Sequence, residues 1–114
     1  MRKDTKARAF SLEVKREIAA RDSVDGWPCC LWCGAAAPEE TAWSNAHFIG
    51  RAQGGLGVAE NGLTLCPICH RRYDQTTDRP QMRAYFRGYL EDKYEEMGRE
   101  WDESSLVYRK GAAP

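Results

Sequence analysis

The chain has 114 residues, with 17 Lys or Arg balanced by 17 Asp or Glu, two histidines, five cysteines and a mean hydropathy of −0.68. That length suits one domain with a modest core, and no apolar run is long enough for a membrane span. Zero net charge excludes a globally basic nucleic-acid binder, yet Met1–Arg21 carries seven Lys or Arg against three acids and Gly88–Lys110 four against seven, so either one basic face meets phosphate or both are solvated helix faces.

Residues 1–9 read as a basic arm. Ser11 caps a first helix running to about Arg21, with Val14, Ile18 and Ala19 on one side and Glu13 in the first turn. Asp25-Gly26 and Trp27-Pro28 break it, so residues 10–28 form an N-terminal helix and turn. Cys30-Leu31-Trp32-Cys33-Gly34 has the form of a metal knuckle, with Gly34 free to take the positive φ of a tight turn. Ala35–Thr41 reads as a loop and Trp43–Arg51 as a first strand. Gln53–Gly57 is too glycine-rich for regular structure, and Leu63–Leu65 is a second strand that delivers Cys66. Pro67 opens the next turn, which becomes helical from His70 to about Asp74. Residues 79–114 carry a longer helix and a tail. Met82, Tyr85, Phe86, Tyr89 and Leu90 form its apolar stripe, which Met97 continues. Leu106–Tyr108 adds a short strand or docks on the core.

The pairs Cys30/Cys33 and Cys66/Cys69 repeat the same two-residue gap. Four thiolates so paired close a tetrahedral zinc site, and such a site is structural because no position is left for water or substrate. Cys29 competes with Cys30, since a three-residue gap to Cys33 is also permitted; Cys30 makes the two knuckles alike. Metal-type spacing without an export signal points to thiolates on metal in a reducing cytoplasm and not to disulfides. The segment between the knuckles is long and holds His47 and Asn61. His70 directly follows Cys69, and Asp74 lies four residues on, so on a helix the two share a face. An imidazole and a carboxylate so placed can grip one divalent cation and leave positions for water and a phosphate oxygen. Each residue also has a plainer use: His47 as a packed strand residue, Asn61-Gly62 as a turn, His70 as a helix-capping donor, Asp74 as a solvated helix acid.

The order His47, Asn61, His70 around split Cys-x-x-Cys knuckles resembles the HNH endonuclease family, over Cys30 to about Asp74. The resemblance implies an α+β fold: a zinc-stapled ββα-metal core at residues 29–78 with flanking N-terminal and C-terminal helices, in one nuclease domain spanning 1–114. It implies an endonuclease that cleaves double-stranded DNA with Mg²⁺, Mn²⁺ or Ni²⁺. His47 would be the general base, Asn61 would fix the loop and the His47 imidazole, and His70 and Asp74 would hold the catalytic cation. Arg51, Arg71 and Arg72 would clamp phosphates. Arg79, Arg83 and Arg87 extend this basic set, or simply solvate a helix with Arg87 paired to Glu91. One position departs from the pattern. Many members carry Asp or His just before the base, where this chain has Ala46, so Asn61 or Asn45 is left to supply any further oxygen. Compact members are often carried by bacteriophages and prophages, which implies a terminase or other phage DNA-processing protein as partner and no membrane partner. A second class stays open, a non-catalytic zinc module that binds DNA or protein, as does an accessory subunit active only on a larger enzyme. Trp27, Trp32, Trp43 and Trp101 read as core and not as base-stacking platforms.

Overall fold

In the computed structural model, which describes residues 8–108, the chain is a small mixed α+β protein with three helices and two two-stranded sheets among the described residues. The basic arm expected at residues 1–9 lies outside this range apart from Arg8 and Ala9. Helix α1 (Leu12–Arg21) starts as the sequence predicts: the Ser11 hydroxyl accepts the Val14 N–H at 3.1 Å. It buries Ile18 and Ala19 and ends on Arg21 and Asp22, both also buried. The expected break after it is instead a hairpin. β1 (Ser23–Val24) pairs antiparallel with β2 (Trp27–Pro28), and Asp25 and Gly26 turn the chain at φ +52° and +82°. Asp-Gly is a favoured pair for a two-residue turn in which both residues take positive φ.

The next two strands are shorter than predicted. β3 is Ala46–His47 and β4 is Gly62–Leu63, antiparallel, with Ala46 opposite Leu63 and His47 opposite Gly62. The Phe48 N–H still reaches the Asn61 carbonyl at 2.8 Å, but the Ile49 N–H goes to the Asn61 side chain, so the backbone ladder stops there. Residues 51–53 and 59–61 form single 3₁₀ turns in the intervening loop.

Helix α2 (Pro67–Gln75) begins earlier than expected, with Cys66 as its cap and Pro67 in its first turn. Thr76 stops it by donating its hydroxyl to the Arg72 carbonyl and accepting the Asp78 N–H, and α3 (Arg79–Glu96) follows at once. The buried stripe of α3 is Met82, Phe86, Leu90 and Tyr94, spaced by four. Tyr85 is instead 55% exposed, Met97 is 48% exposed beyond the helix end, and Tyr89 is half-buried. The stripe packs on Phe48, Leu63, Leu65 and Tyr73, and Leu106 closes the core. The tail does dock: Leu56 donates its N–H to the Leu106 carbonyl at 2.8 Å, and Val107 bridges Gly55.

Candidate metal centre and active-site cleft

Four sulfurs converge where the first knuckle meets the start of α2. The thiol atoms of Cys30, Cys33, Cys66 and Cys69 all lie within 4.8 Å of one another, and those of Cys33 and Cys66 are 3.8 Å apart. A tetrahedron with metal–sulfur bonds of about 2.3 Å has an edge of about 3.8 Å, so the group is placed to bind a metal ion. Local chain chemistry builds it. Gly34 takes a φ of +82° and returns its N–H to the Cys30 carbonyl, while Leu31 donates to the Thr64 carbonyl and ties the knuckle to the chain leaving β4. On the helix side, the Cys66 sulfur accepts the Cys69 N–H at 3.4 Å. Burial and the neighbouring sulfurs push the Cys69 thiol well up, because crowded thiols resist ionisation unless a cation compensates. Cys29 stands outside the group, its thiol donating to the Trp27 carbonyl, which decides between the two candidates for first ligand in favour of Cys30.

Beside this cluster opens a cleft of about 1130 Å³ that His47, His70, Asp74, Arg51 and Arg79 all line. His70 and Asp74 meet there as their one-turn spacing requires, Nε2 to Oδ2 at 3.0 Å. The other carboxylate oxygen of Asp74 lies 3.3 Å from the Arg79 guanidinium. Arg79 stacks over the Tyr73 ring at 4.1 Å and donates to the Tyr73 and Phe48 carbonyls, which fixes its place on the cleft wall. Tyr73 is itself pinned, its hydroxyl donating to the Phe48 carbonyl, and burial pushes its pKa up to about 12.

His47 is half-buried on β3. Its Nε2 lies 2.6 Å from the Arg8 carbonyl oxygen. A carbonyl can only accept, so Nε2 carries the proton and Nδ1 is the basic nitrogen. Phe10 stacks on the ring at a centroid distance of 4.1 Å. Burial holds the imidazole below its ordinary pKa of 6.5; the Arg8 carbonyl and Asp74 oppose this, while Arg51 and His70 reinforce it.

Asn61 is wholly buried and does not line the cleft. Its side chain accepts the Ile49 N–H at 2.8 Å and donates to the carbonyls of Ile49 at 3.1 Å and Leu56 at 2.9 Å. It clasps the loop and makes no contact to the His47 ring among its hydrogen bonds. The contacts to the His47 ring come from Arg8 and Phe10. A Cβ on Gly55 would collide with the Ile49 carbonyl, so the clasp needs glycine there.

The arginines divide. Arg51 is exposed on the cleft, and Arg71 lines a neighbouring pocket of about 410 Å³ that shares His70 and Asp74. Arg72 lies away from both, paired to Asp78 at 3.1 Å and placed over Trp32. Arg83 and Arg87 both bind Glu103, at 2.9 Å each, and not Glu91. Burial works to raise the Glu103 carboxyl, but the two guanidiniums outweigh it and hold it below its usual range. Ala46 is wholly buried, and Asn45 lines the cleft. Of the tryptophans, Trp32, Trp43 and Trp101 pack on the core, whereas Trp27 is 45% exposed. No helix among the described residues is long and apolar enough to cross a membrane.

Two contacts to the cleft residues were not foreseeable in residue order. The approach of residues 8–10 to His47 left no local signal, and the reach of Arg79 back to Asp74 depends on the reversal between two helices. The chain matches no protein-family model, no curated protein and no solved structure.

Proposed function

We propose that this chain is a divalent-metal-dependent DNA endonuclease of the HNH type, with β3, β4 and α2 as its ββα-metal unit and a structural zinc on Cys30, Cys33, Cys66 and Cys69. The observation that carries this reading is the convergence of His47 with the His70–Asp74 pair in one open cleft beside the four thiols. A four-sulfur tetrahedron suits zinc and leaves it no open position, so the chemistry belongs to the cleft. His70 and Asp74 fit a Mg²⁺, Mn²⁺ or Ni²⁺ ion, offering a nitrogen and an oxygen from one helix face with room around them for water and phosphate. When bound, that cation supplies Lewis-acid polarisation of the scissile phosphate and charge stabilisation at the leaving 3′-oxygen.

The chain's own residues do the rest. His47, neutral and protonated on Nε2, takes the proton of the attacking water at Nδ1. Arg51 and Arg79 meet phosphate oxygens from the cleft wall and Arg71 from the adjoining pocket. Arg83 is partly neutralised by Glu103 and contributes less. The DNA is held by backbone contacts, with no reading head for bases among the described residues. Plasmid cleavage compared in Mg²⁺, Mn²⁺, Ni²⁺ and EDTA tests the reading: nicked or linear product with a cation and none with EDTA is expected. Binding without cleavage under every cation would leave a zinc-stabilised binding module instead, a reading favoured by one observation, that the residue before His47 is a buried alanine.

A further inference from the structure

We infer that Arg8–Phe10 is a strap that positions the candidate base, holding His47 in one tautomer and one orientation from behind the cleft; this rests on the nuclease reading above. Three contacts converge on it. The Arg8 carbonyl accepts from His47 Nε2 at 2.6 Å, and Phe10 stacks on the same ring at 4.1 Å with an interplanar angle of 26°. The third is steric. A Cβ on Gly57 would collide with the Ala9 carbonyl, so this glycine leaves the space in which the strap lies. Gly57 is not among the residues with positive φ, so backbone conformation does not by itself require glycine there. Gly62, the strand partner of His47, makes room chiefly for the Ile18 side chain of α1, which a Cβ there would strike before reaching the Phe10 ring at 3.3 Å, so it is Gly57 that reports on the strap. The far side of the strap is held by the Arg8 guanidinium over the Tyr108 ring.

The strap supports the base and does not plug the site. His47 lines the cleft, whereas none of Arg8, Ala9 and Phe10 does. An imidazole whose N–H has no fixed acceptor exchanges between tautomers, and in one of them the proton sits on the nitrogen that should accept. The strap removes that tautomer and fixes the ring plane. Phe10 covers one ring face, and the charged and titratable groups acting on the imidazole are Arg51, Asp74 and His70.

The test uses the full-length zinc-loaded chain. Long-range ¹H–¹⁵N spectra of its two histidines, recorded without added divalent cation, report tautomer and titration, and plasmid cleavage reports kcat and KM. The unmutated protein should show His47 as the Nε2–H tautomer alone. Gly57→Ala, which displaces the strap, and Phe10→Ala, which removes the stack, should each give a tautomer mixture and a His47 titration moved up toward 6.5. In both, kcat should fall roughly tenfold or more with KM within about twofold, the cost of a misoriented base. Phe10→Tyr should restore the unmutated behaviour. If Gly57→Ala fails to retain zinc, Phe10→Ala carries the test alone. An unchanged His47 tautomer in the folded variants overturns the strap, and so does faster cleavage, the mark of an occluding segment. Absence of cleavage by the unmutated protein under any cation overturns the nuclease reading instead, while the imidazole spectra still decide the strap.

Discussion

His47 becomes neutral at a lower pH than a free imidazole because burial disfavours its charged form more than the Arg8 carbonyl and Asp74 favour it. Two outcomes follow with a definite sign. The cleavage rate should rise with pH through a midpoint lying below 6.5, the pH at which a free imidazole is half-protonated. In stability, the folded pKa is the depressed one, so the contribution is present above 6.5 and is lost as pH falls through the lower folded value. His47→Ala should cut cleavage by about 10²–10⁴ while DNA affinity and zinc content stay, measured by plasmid nicking and metal analysis. Should the variant nick DNA at the unmutated rate, another group is the base. Asp74 belongs to the same scale. Asp74→Ala removes an oxygen from the His70 pair and the carboxylate partner of Arg79, which stays held by Tyr73 and Phe48, so the cation concentration for half-maximal cleavage should rise with little change in DNA binding. An identical cation dependence would make Asp74 a surface acid.

Helix α2 owes its place to its first turn. Cys66 and Cys69 lie on that turn and face the knuckle, so whatever holds the four sulfurs also sets the distance from α2 to β3 and hence from His70 to His47. Cys66→Ser, or chelation strong enough to strip the metal, should lower the thermal midpoint sharply and abolish cleavage together. Full stability in a metal-free chain would remove the centre's structural role. The loop between β3 and β4 has its own support in Asn61. Asn61→Ala strands the buried Ile49 N–H and carbonyl, at a cost of about 1–3 kcal/mol for each one left without a partner, and releases the half-buried Leu56 carbonyl; denaturant unfolding should register it.

At the scale of the whole molecule, a buried ion pair ties helix α1 to strand β4 and to α3. Arg21 donates to Asp22 at 2.7 and 2.9 Å, to the Ala59 and Gly62 carbonyls at 2.7 and 2.6 Å, and to the Tyr94 hydroxyl. Asp22 accepts from the Thr64 N–H at 3.1 Å and the Tyr89 hydroxyl at 2.6 Å. The pair thus links α1 to β4 and α3. Burial alone would lower the Arg21 pKa, but Asp22 outweighs it and holds the guanidinium charged. Asp22→Ala leaves that charge unpaired and should destabilise the fold by about 3–5 kcal/mol in denaturant unfolding, with zinc still bound at low denaturant. A loss well under 1 kcal/mol would mean water compensates the charge.

Much of this was legible in residue order. Ser11 as a cap, Gly34 as a left-handed turn residue, the four cysteines as one group and His70 with Asp74 as a pair are local facts: each follows from spacing within a turn or from one residue's backbone preference. The length of the strands, the β1–β2 hairpin, the true α3 stripe through Tyr94 and the Arg21–Asp22 pair were decided by tertiary structure. The Asp25-Gly26 signal was present for the hairpin but says nothing of its pairing partner. For the strands, the Asn61 side chain takes the hydrogen bond that a longer ladder would have used. The same division runs through the cleft. Sequence alone named His47, but its tautomer is set by a carbonyl 39 residues earlier, and a main-chain carbonyl leaves no trace in residue identity.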